Sequence, residues 1–330
     1  MTSLAQDKHT TTESSASAEQ KDSSSAPKQP KRLWYDATIT HLSQLTPTVT
    51  GVAIEVDVDC PMLTSDQGVT WQSVQPSKPF DFLPGQWVDF YIPAINKVGG
   101  YSITSLPSHL PRLELAVKRS RHPPAEWVTS NSQVGDAVKV RVGGEFVYST
   151  TPDEGRIVDG GDCKVPAKDS KGLLFIAGGV GINPLYGMLR QLHDDIGKVE
   201  QAAGAPKAIL LYSASKADEF LFERELNHMA KAFPSNFRMV YHVTKDVEKV
   251  PKEDSRPTLS YGRITSSEIG EALRWATGED DNEAGAHSNG EGKGISSVYI
   301  CGPTGFAEDY SAACQEHGVP RSAIHFEQWW

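Results

Sequence analysis

Residues 173–190 read Leu-Leu-Phe-Ile-Ala-Gly-Gly-Val-Gly-Ile-Asn-Pro-Leu-Tyr-Gly-Met-Leu-Arg, and this stretch decides the fold. The apolar run from Leu173 to Ala177 has the length of a β-strand that is buried on both faces. It breaks at a turn of three glycines and one valine, after which Asn183-Pro184 opens an amphipathic run at helical spacing. The stretch therefore predicts a strand, a glycine turn and a helix.

The glycine turn has the chemistry of a phosphate-binding loop. Glycine tolerates positive φ and lets a ligand approach the backbone closely, and a helix N-terminus offers free N–H groups and a partial positive charge. A dinucleotide pyrophosphate is the expected ligand, held by Gly178, Gly179, Val180, Gly181, Asn183 and Pro184. A glycine-rich string is also compatible with a tight turn that binds nothing, so the rest of the chain must decide.

Length and composition allow two domains and exclude several classes of protein. The chain has 330 residues, of which 38% are hydrophobic and 22% charged, which is typical of a globular protein. A formal net charge of −10 makes a nucleic-acid partner unfavourable. No apolar run approaches the length of a membrane span.

Cysteine usage argues against a metal centre. The four cysteines show no Cys-x-x-Cys spacing, which speaks against zinc and iron–sulfur sites and indicates a reducing compartment. Residues 1–32 are polar and predict a disordered tail. They lack the apolar core of a secretory signal and contain more acidic residues than a transit peptide, so we expect a cytoplasmic protein, with the mitochondrion as the alternative.

Residues 33–150 predict an antiparallel β-barrel. Short alternating segments separated by turn residues are typical of this architecture, and they cover 37–42, 50–56, 86–92, 101–105, 112–119 and 137–142. Trp87, Val88 and Phe90 are expected to pack inward, residues 60–79 to form an inserted loop, and residues 126–128 to lie in a short helix. Residue chemistry alone favours an ordinary barrel strand at Tyr101-Ser102, although a ring beside a hydroxyl also suits a flat heteroaromatic ligand.

Residues 151–171 predict a linker, and residues 172–330 predict an α/β domain. Strands and helical runs alternate there, which indicates a parallel sheet with helices on both faces. The predicted strands cover 173–177, 208–213, 237–243 and 297–301, and the predicted helices 184–194, 218–232, 265–276 and 305–316. Cys301-Gly302-Pro303 falls at the carboxyl end of a strand, where ligands bind in such sheets.

With both halves interpreted, the order of motifs resembles the ferredoxin–NADP reductase superfamily, from about Tyr35 to Trp330. Its members join a flavin-binding barrel to a nicotinamide-binding α/β domain. The resemblance rests on Leu-Pro-Gly-Gln-Trp, Tyr-Ser-Ile-Thr-Ser, Gly-Gly-Val-Gly-Ile-Asn-Pro, and Cys-Gly-Pro followed by an aromatic C-terminus. Pro-Pro-Ala-Glu-Trp-Val, Val-Gly-Gly-Glu-Phe and Phe-Glu-Gln-Trp are similar to a smaller group within it, the oxidoreductase NAD-binding domain-containing proteins.

The resemblance implies a role for individual residues. Ser102, Cys301 and Glu327 would be the reaction residues, with the Ser102 hydroxyl near the flavin N5 atom and Cys301 near the nicotinamide ring. The other residues that would contact the cofactors are Tyr101, Thr104, Lys118, Arg119, Gly302, Pro303 and Trp330, in addition to the glycine turn.

Two positions depart from the superfamily pattern. An arginine expected two residues before the tyrosine is Gly99, and a Gly-x-x-Ser/Thr loop is replaced by the run from His122 to Trp127. Both changes remove donors to a flavin phosphate, each worth about 1.5–3 kcal/mol. Lys97 and Arg121 are the nearby substitutes. FAD is the expected flavin, and FMN or no flavin remain open.

The choice between NAD(H) and NADP(H) depends on the segment after the second α/β strand. Ser213 and Lys216 would suit a 2′-phosphate, whereas Asp218 either favours a 2′-hydroxyl or caps the following helix. The expectation is slightly in favour of NAD.

The sequence thus predicts a flavin-dependent reductase that passes hydride from NAD(P)H to a flavin and on to an unknown acceptor. A non-catalytic NAD(P)-binding or sensing protein with a degenerate flavin site is the second hypothesis. A dehydrogenase with its own substrate pocket is the third.

Overall fold

The computed structural model describes residues 33–65, 68–73, 79–148, 172–198, 205–245, 259–278 and 295–328. The predicted tail and linker and the aromatic terminus at Trp329-Trp330 lie outside the described residues. The elements are β1 (Trp34–Thr46), β2 (Val49–Ser65), β3 (Gly68–Ser73), β4 (Trp87–Ile92), β5 (Lys97–Ser102), β6 (Arg112–Lys118), α1 (Pro123–Ser130), β7 (Ala137–Gly143), β8 (Gly172–Gly178), α2 (Ile182–Gly197), β9 (Lys207–Ala214), α3 (Glu223–Ala232), β10 (Phe237–Val243), β11 (Leu259–Tyr261), α4 (Ser266–Thr277), β12 (Ile295–Gly302), α5 (Phe306–Glu316) and β13 (Ile324–Gln328).

The first half is the predicted antiparallel barrel. Its strands pair in the order β3-β2-β1-β7-β4-β5, and β6 pairs with the first half of β2, from Val49 to Glu55. A single bridge between Ile103 and Leu115 joins the end of β5 to β6 and closes the sheet on itself. Alternate residues of each strand point inward, as in β4, where Val88, Phe90 and Ile92 are fully buried.

Two expectations for the barrel were wrong. Residues 60–79 do not form one loop, because β2 continues to Ser65 and pairs with β3 as a hairpin. Met62 pairs with Trp34 on one side and Ser73 on the other, so this segment is a strand despite its loop-like composition. Trp87 does not pack inward beside Val88, because neighbouring residues of a strand face opposite sides.

The second half is the predicted parallel α/β sheet, with strand order β11-β10-β9-β8-β12-β13. Apolar residues of α2 and α3 pack on one face, and those of α4 and α5 on the other. Every residue of β8 is buried, as its apolar run predicted. β11 and β13 were not predicted, because these short edge strands mix polar and apolar residues without a clear period.

The helix expected at 218–232 begins only at Glu223, so Asp218 does not cap it. Asp218 lies in a single 3₁₀ turn over residues 217–219. Phe222 adopts a left-handed backbone with φ 58°, which separates that turn from α3. The burial of Phe220 and Leu221 in the core draws this segment inward and explains the break.

Hydrogen bonds between distant residues connect the two halves, which belong to one compact unit from Lys31 onward. The Asn183 side chain donates to the Ala116 carbonyl at 2.8 Å, and Arg190 donates to the Thr104 carbonyl at 2.8 Å. The predicted linker lies outside the described residues, so the domain boundaries stay a prediction.

One histidine of the parallel sheet lies in the protein core. His242 on β10 is 0% exposed, and neither of its ring nitrogens forms a hydrogen bond. Its Nε2 atom lies 3.8 Å from Oε1 of Glu268 in α4. Burial lowers the pKa of His242, and the Glu268 carboxylate opposes this only in part.

We expect the free energy of unfolding to decrease as the pH falls below about 6.5, the pKa of an unfolded histidine. The unfolded ring then binds a proton that the folded ring resists, at up to about 1.4 kcal/mol per pH unit. His242→Leu should reduce this slope in urea unfolding between pH 7.5 and 5, whereas substitution of the exposed His122 by Gln should not. An unchanged slope in His242→Leu would contradict the prediction.

Candidate nucleotide-binding site

The glycines of the turn after β8 differ in what surrounds them. Gly179 has φ 54°, and a Cβ atom there would meet nothing within 4 Å. At Gly181, a Cβ atom would lie 2.2 Å from the Cys301 carbonyl oxygen and 2.7 Å from the Gly302 nitrogen. Gly179 is thus the position that leaves space for a ligand, whereas Gly181 lets the turn pack on β12.

The N-terminus of α2 suits an anion. The helix has no side-chain cap bond and no acidic residue in its first turn. Its partial positive charge is therefore not offset by a side chain. It stands directly after the carboxyl end of β8, the edge at which ligands bind in open parallel sheets. The turn and the helix together fit the pyrophosphate of a dinucleotide.

Asn183, predicted to contact the ligand, ties α2 to the barrel. It is 6% exposed and donates from Nδ2 to the Ala116 carbonyl in β6. Its Oδ1 atom is buried and makes no hydrogen bond. Pro184 beside it is buried as well. The first turn of α2 is therefore fixed by a long-range contact that places the glycine turn against the barrel.

The residues proposed for the 2′-position lie at the end of β9 and just after it. Ser213 is buried and donates its hydroxyl proton to the Ala177 carbonyl at 3.3 Å, while Lys216 and Asp218 are exposed. Parallel pairing of Gly178 with Ser213 puts this segment next to the glycine turn. The Ser213 hydroxyl proton is thus directed to the sheet, and the cations near this position are Lys216 and Lys245, whose backbone N–H donates to the Ser215 carbonyl at 2.9 Å.

The predicted Cys-Gly-Pro segment ends β12, which lies between β8 and the edge strand β13. Cys301 pairs with Ala177 on one side and Glu327 on the other, and its side chain is 0% exposed. Gly302 is enclosed too, since a Cβ atom there would lie 2.4 Å from the Phe306 ring. Pro303 follows at the surface. The contact of Cys301 with a nicotinamide ring stays a prediction.

The barrel residues of the predicted flavin wall lie on β5 and just after it. The half-buried Tyr101 ring meets Phe90 edge-on, with centroids 5.8 Å apart. Ser102 is 5% exposed. Thr104 is 3% exposed and donates its hydroxyl to the Glu114 carbonyl at 3.0 Å. Lys118 and Arg119, at the end of β6, are exposed.

The Tyr101 hydroxyl is enclosed rather than aimed at an opening. Its Oη atom is buried and makes no hydrogen bond, and burial raises the pKa of the phenol. A Cβ atom at Gly99 would lie 2.6 Å from this Oη atom and 2.9 Å from Cβ of Pro124. Gly99, Tyr101 and Pro124 are therefore mutually packed.

Glu327 brings β13 to the barrel. Its Oε1 atom lies 3.7 Å from the place of a Cβ atom at Gly144, and Nε1 of Trp87 lies 2.7 Å from the same point. The predicted reaction residue Glu327 thus stands where the two halves meet. Trp330, its predicted neighbour, lies outside the described residues.

Sequence reasoning missed three contributors to this region. Trp87 covers Gly143 and Gly144, and Arg190 donates to Oε2 of Glu114 at 3.3 Å, beside its bond to the Thr104 carbonyl. The two adjacent glycines in the Val-Gly-Gly-Glu-Phe run are the sequence feature that could have indicated the contact with Trp87. Nothing in the sequence pairs Arg190 with Glu114, which are 76 positions apart.

Two absences hold for the part of the chain that the structure describes. No helix there combines the length and the hydropathy needed to cross a membrane. Within the same residues, no group of three or more His, Cys, Asp or Glu side chains is arranged to hold a metal ion.

Comparisons with known proteins agree with this geometry. Residues 175–312 match the model of the oxidoreductase NAD-binding domain family. The chain is 36% identical to oxidoreductase NAD-binding domain-containing protein 1 of Bos taurus over 259 residues, which is 77% of this chain and 73% of the relative. It is 36% identical to the Homo sapiens protein of the same description over 261 residues, or 76% and 72% of the two chains.

Solved structures share the two-part architecture and confirm the predicted fold class. The flavohem-like FAD/NAD binding domain of nitric oxide dioxygenase from Vibrio cholerae superposes with a TM-score of 0.58 at 17% identity, covering 89% of this chain and 98% of its own. The cytochrome b5 reductase domain of Ulva prolifera nitrate reductase gives a TM-score of 0.60 at 17% identity, covering 92% and 100%. At these identities the likeness concerns the fold alone.

Proposed function

The chain belongs to the oxidoreductase NAD-binding domain-containing protein 1 family, and on this premise we propose that it is an NAD(P)H-dependent reductase that uses a flavin. The open turn at Gly179, at the uncapped start of α2, carries the proposal. It is the part of the site where space, backbone donors and helix charge favour the same ligand, a pyrophosphate.

In this proposal the α/β half holds the dinucleotide. Backbone N–H groups after Gly178 bind the pyrophosphate, and the nicotinamide ring extends toward the end of β12 at Cys301. NAD(H) is favoured over NADP(H), because the Ser213 hydroxyl is bonded to the Ala177 carbonyl and is not directed toward a 2′-phosphate. The recipient of the electrons is a separate molecule whose identity is open.

The residues of the barrel fit the ring of a flavin. Tyr101 is a half-buried aromatic residue of the barrel, and Glu327 comes from the α/β half to the barrel segment at Gly144. A flavin bound there would accept hydride from the dinucleotide and deliver electrons to the acceptor. Ser102, at the adjacent backbone position, would orient the ring, and the two halves together would exclude water from it. FAD is the proposed flavin and FMN the alternative.

Packing of Gly99 against Pro124 favours the second candidate function, a non-catalytic NAD(P)-binding or sensing protein. Gly99 has no side-chain donor for a flavin phosphate, and Pro124 lacks a backbone N–H as well. In such a protein the dinucleotide would bind, and its occupancy would be the signal.

One experiment separates the two functions. The full chain is titrated with NADH and NADPH by calorimetry, then mixed with FAD or FMN without oxygen and followed by visible flavin absorbance. The reductase predicts dinucleotide binding, with NADH tighter, and loss of flavin absorbance when NADH is added. Dinucleotide binding without any flavin association would support the sensor, and failure to bind either dinucleotide would overturn both. Lys216→Ala should weaken NADPH binding more than NADH binding.

A further inference from the structure

We propose that the barrel of this chain recognises a flavin by its ring and not by its phosphates, so that riboflavin, FMN and FAD are equivalent, exchanging ligands. The proposal rests on the proposed function, because it takes the flavin ring to lie against Tyr101. It concerns what the residues around this tyrosine can and cannot bind.

The two departures from the superfamily pattern are in contact with each other. Gly99 and Pro124 are 25 positions apart, yet a Cβ atom at Gly99 would lie 2.9 Å from Cβ of Pro124. Any side chain at position 99 would therefore collide with the start of α1. The absence of an arginine at 99 and the Pro-Pro start of α1 are consequently one packing solution, rather than two independent losses.

The N-terminus of α1 is a poor anion site. Prolines occupy its first positions, so the N–H groups that would face a phosphate are missing there. His122 provides no side-chain cap bond, and Glu126 places a negative charge in the first turn. A phosphate would meet repulsion from this carboxylate and fewer donors than an ordinary helix start offers.

The remaining space is taken by Tyr101 itself. Its hydroxyl lies where the Gly99 side chain would begin, buried and without a hydrogen bond. Tyr101 as a whole residue, in contrast, is only partly buried. The tyrosine thus uses its polar end to fill the gap between β5 and α1 and leaves part of its ring surface for a planar ligand.

The nearby cations do not replace the missing donors. Lys97, Lys118, Arg119 and Arg121 are all exposed. A contact from a mobile, solvated side chain contributes little and is screened by salt. These residues can add a small preference for FMN and FAD at low ionic strength, and that preference should disappear as salt is added.

The test compares three flavins on the full chain. Dissociation constants of riboflavin, FMN and FAD are measured by quenching of flavin fluorescence, at low salt and at about physiological salt. We expect the three values to agree within about threefold at physiological salt, since one charged phosphate contact would change affinity by about tenfold or more. FMN or FAD binding tenfold tighter than riboflavin would overturn the inference while leaving the reductase function intact.

A substitution of Tyr101 tests whether the flavin ring binds against this residue. Tyr101→Leu should weaken all three flavins by the same factor, of at least about fivefold, because it removes the aromatic wall. Tyr261→Leu, at a tyrosine that is 55% exposed in the other sheet, is the matched control and should bind as the parent does. Parent-like binding by a folded Tyr101→Leu would overturn the inference. NADH binding with no flavin binding would overturn both the inference and the flavin part of the proposed function.

Discussion

Gly181→Ala is expected to unfold the α/β half or to lower its free energy of unfolding by at least about 3 kcal/mol. The new methyl group would start 2.2 Å from the Cys301 carbonyl oxygen and 2.5 Å from its carbon. Both are backbone atoms of the buried strand β12, which is held by β8 and β13 on its two sides. Relief would need a shift of the glycine turn or of the strand, and either movement breaks packed core.

Gly179→Asn, two positions away, should instead keep the fold stable and weaken the binding of NADH. Asparagine tolerates a left-handed backbone, and the space around this position is open, so stability should fall by about 1 kcal/mol or less. The side chain would occupy the place proposed for the pyrophosphate. We therefore expect the dissociation constant for NADH to rise by more than about tenfold, with the helical content unchanged.

Urea unfolding followed by circular dichroism, together with NADH titration of the folded variants, checks both glycines. A Gly181→Ala protein as stable as the parent would show that the turn can move away from β12. A Gly179→Asn protein with parent-like affinity for NADH would refute the pyrophosphate assignment, because fold and site are separated in this variant.

Tyr299→Ala is expected to lower the free energy of unfolding by about 4 kcal/mol. Tyr299 of β12 is 1% exposed and stacks between Phe175 and His325, with ring centroids 5.3 and 5.1 Å apart. Phe146 and Tyr148, which follow the barrel, meet the same ring edge-on. Removing the Tyr299 ring leaves a cavity that borders both the parallel sheet and the segment of Phe146 and Tyr148.

Two controls make this prediction specific. Tyr299→Phe keeps the ring and should retain most of the stability. Tyr261→Ala removes an exposed tyrosine from the edge strand β11 and should change the free energy of unfolding by less than about 0.5 kcal/mol. Equal losses for Tyr299→Ala and Tyr261→Ala in urea unfolding would contradict the assignment of Tyr299 to the centre of the core.

Much of the fold could be predicted because its signals are local. The uninterrupted apolar run of β8, the Asn-Pro start of the following helix and the alternation in β6 each depend on neighbours in sequence. Edge strands carry weaker patterns, since one side of them faces no partner. The sequence of β13 therefore indicates only an aromatic terminus. The pairing of Glu327 with Cys301 is seen only in the structure.

The candidate site likewise combines features that the sequence predicts with features that only the structure shows. The sequence predicts the segment from Gly178 to Pro184 as a phosphate-binding turn, but it gives no reason to assign its glycines different roles. The structure separates Gly179, which is open, from Gly181, which touches the β12 backbone. Likewise Asn183 was proposed as a ligand contact and is found tying α2 to the Ala116 carbonyl.

The sequence by itself determined the two halves of this protein, their strand and helix rhythm, and the turn where a dinucleotide would bind. These follow from periodicity and from glycine and proline, whose effects act over a few residues. Only the tertiary structure decided which glycine serves packing, that Gly99 and Pro124 form one contact around Tyr101, and that Arg190 meets Glu114. Such contacts join residues far apart in the chain, and they are fixed by close packing of the whole core, which no short window of sequence contains.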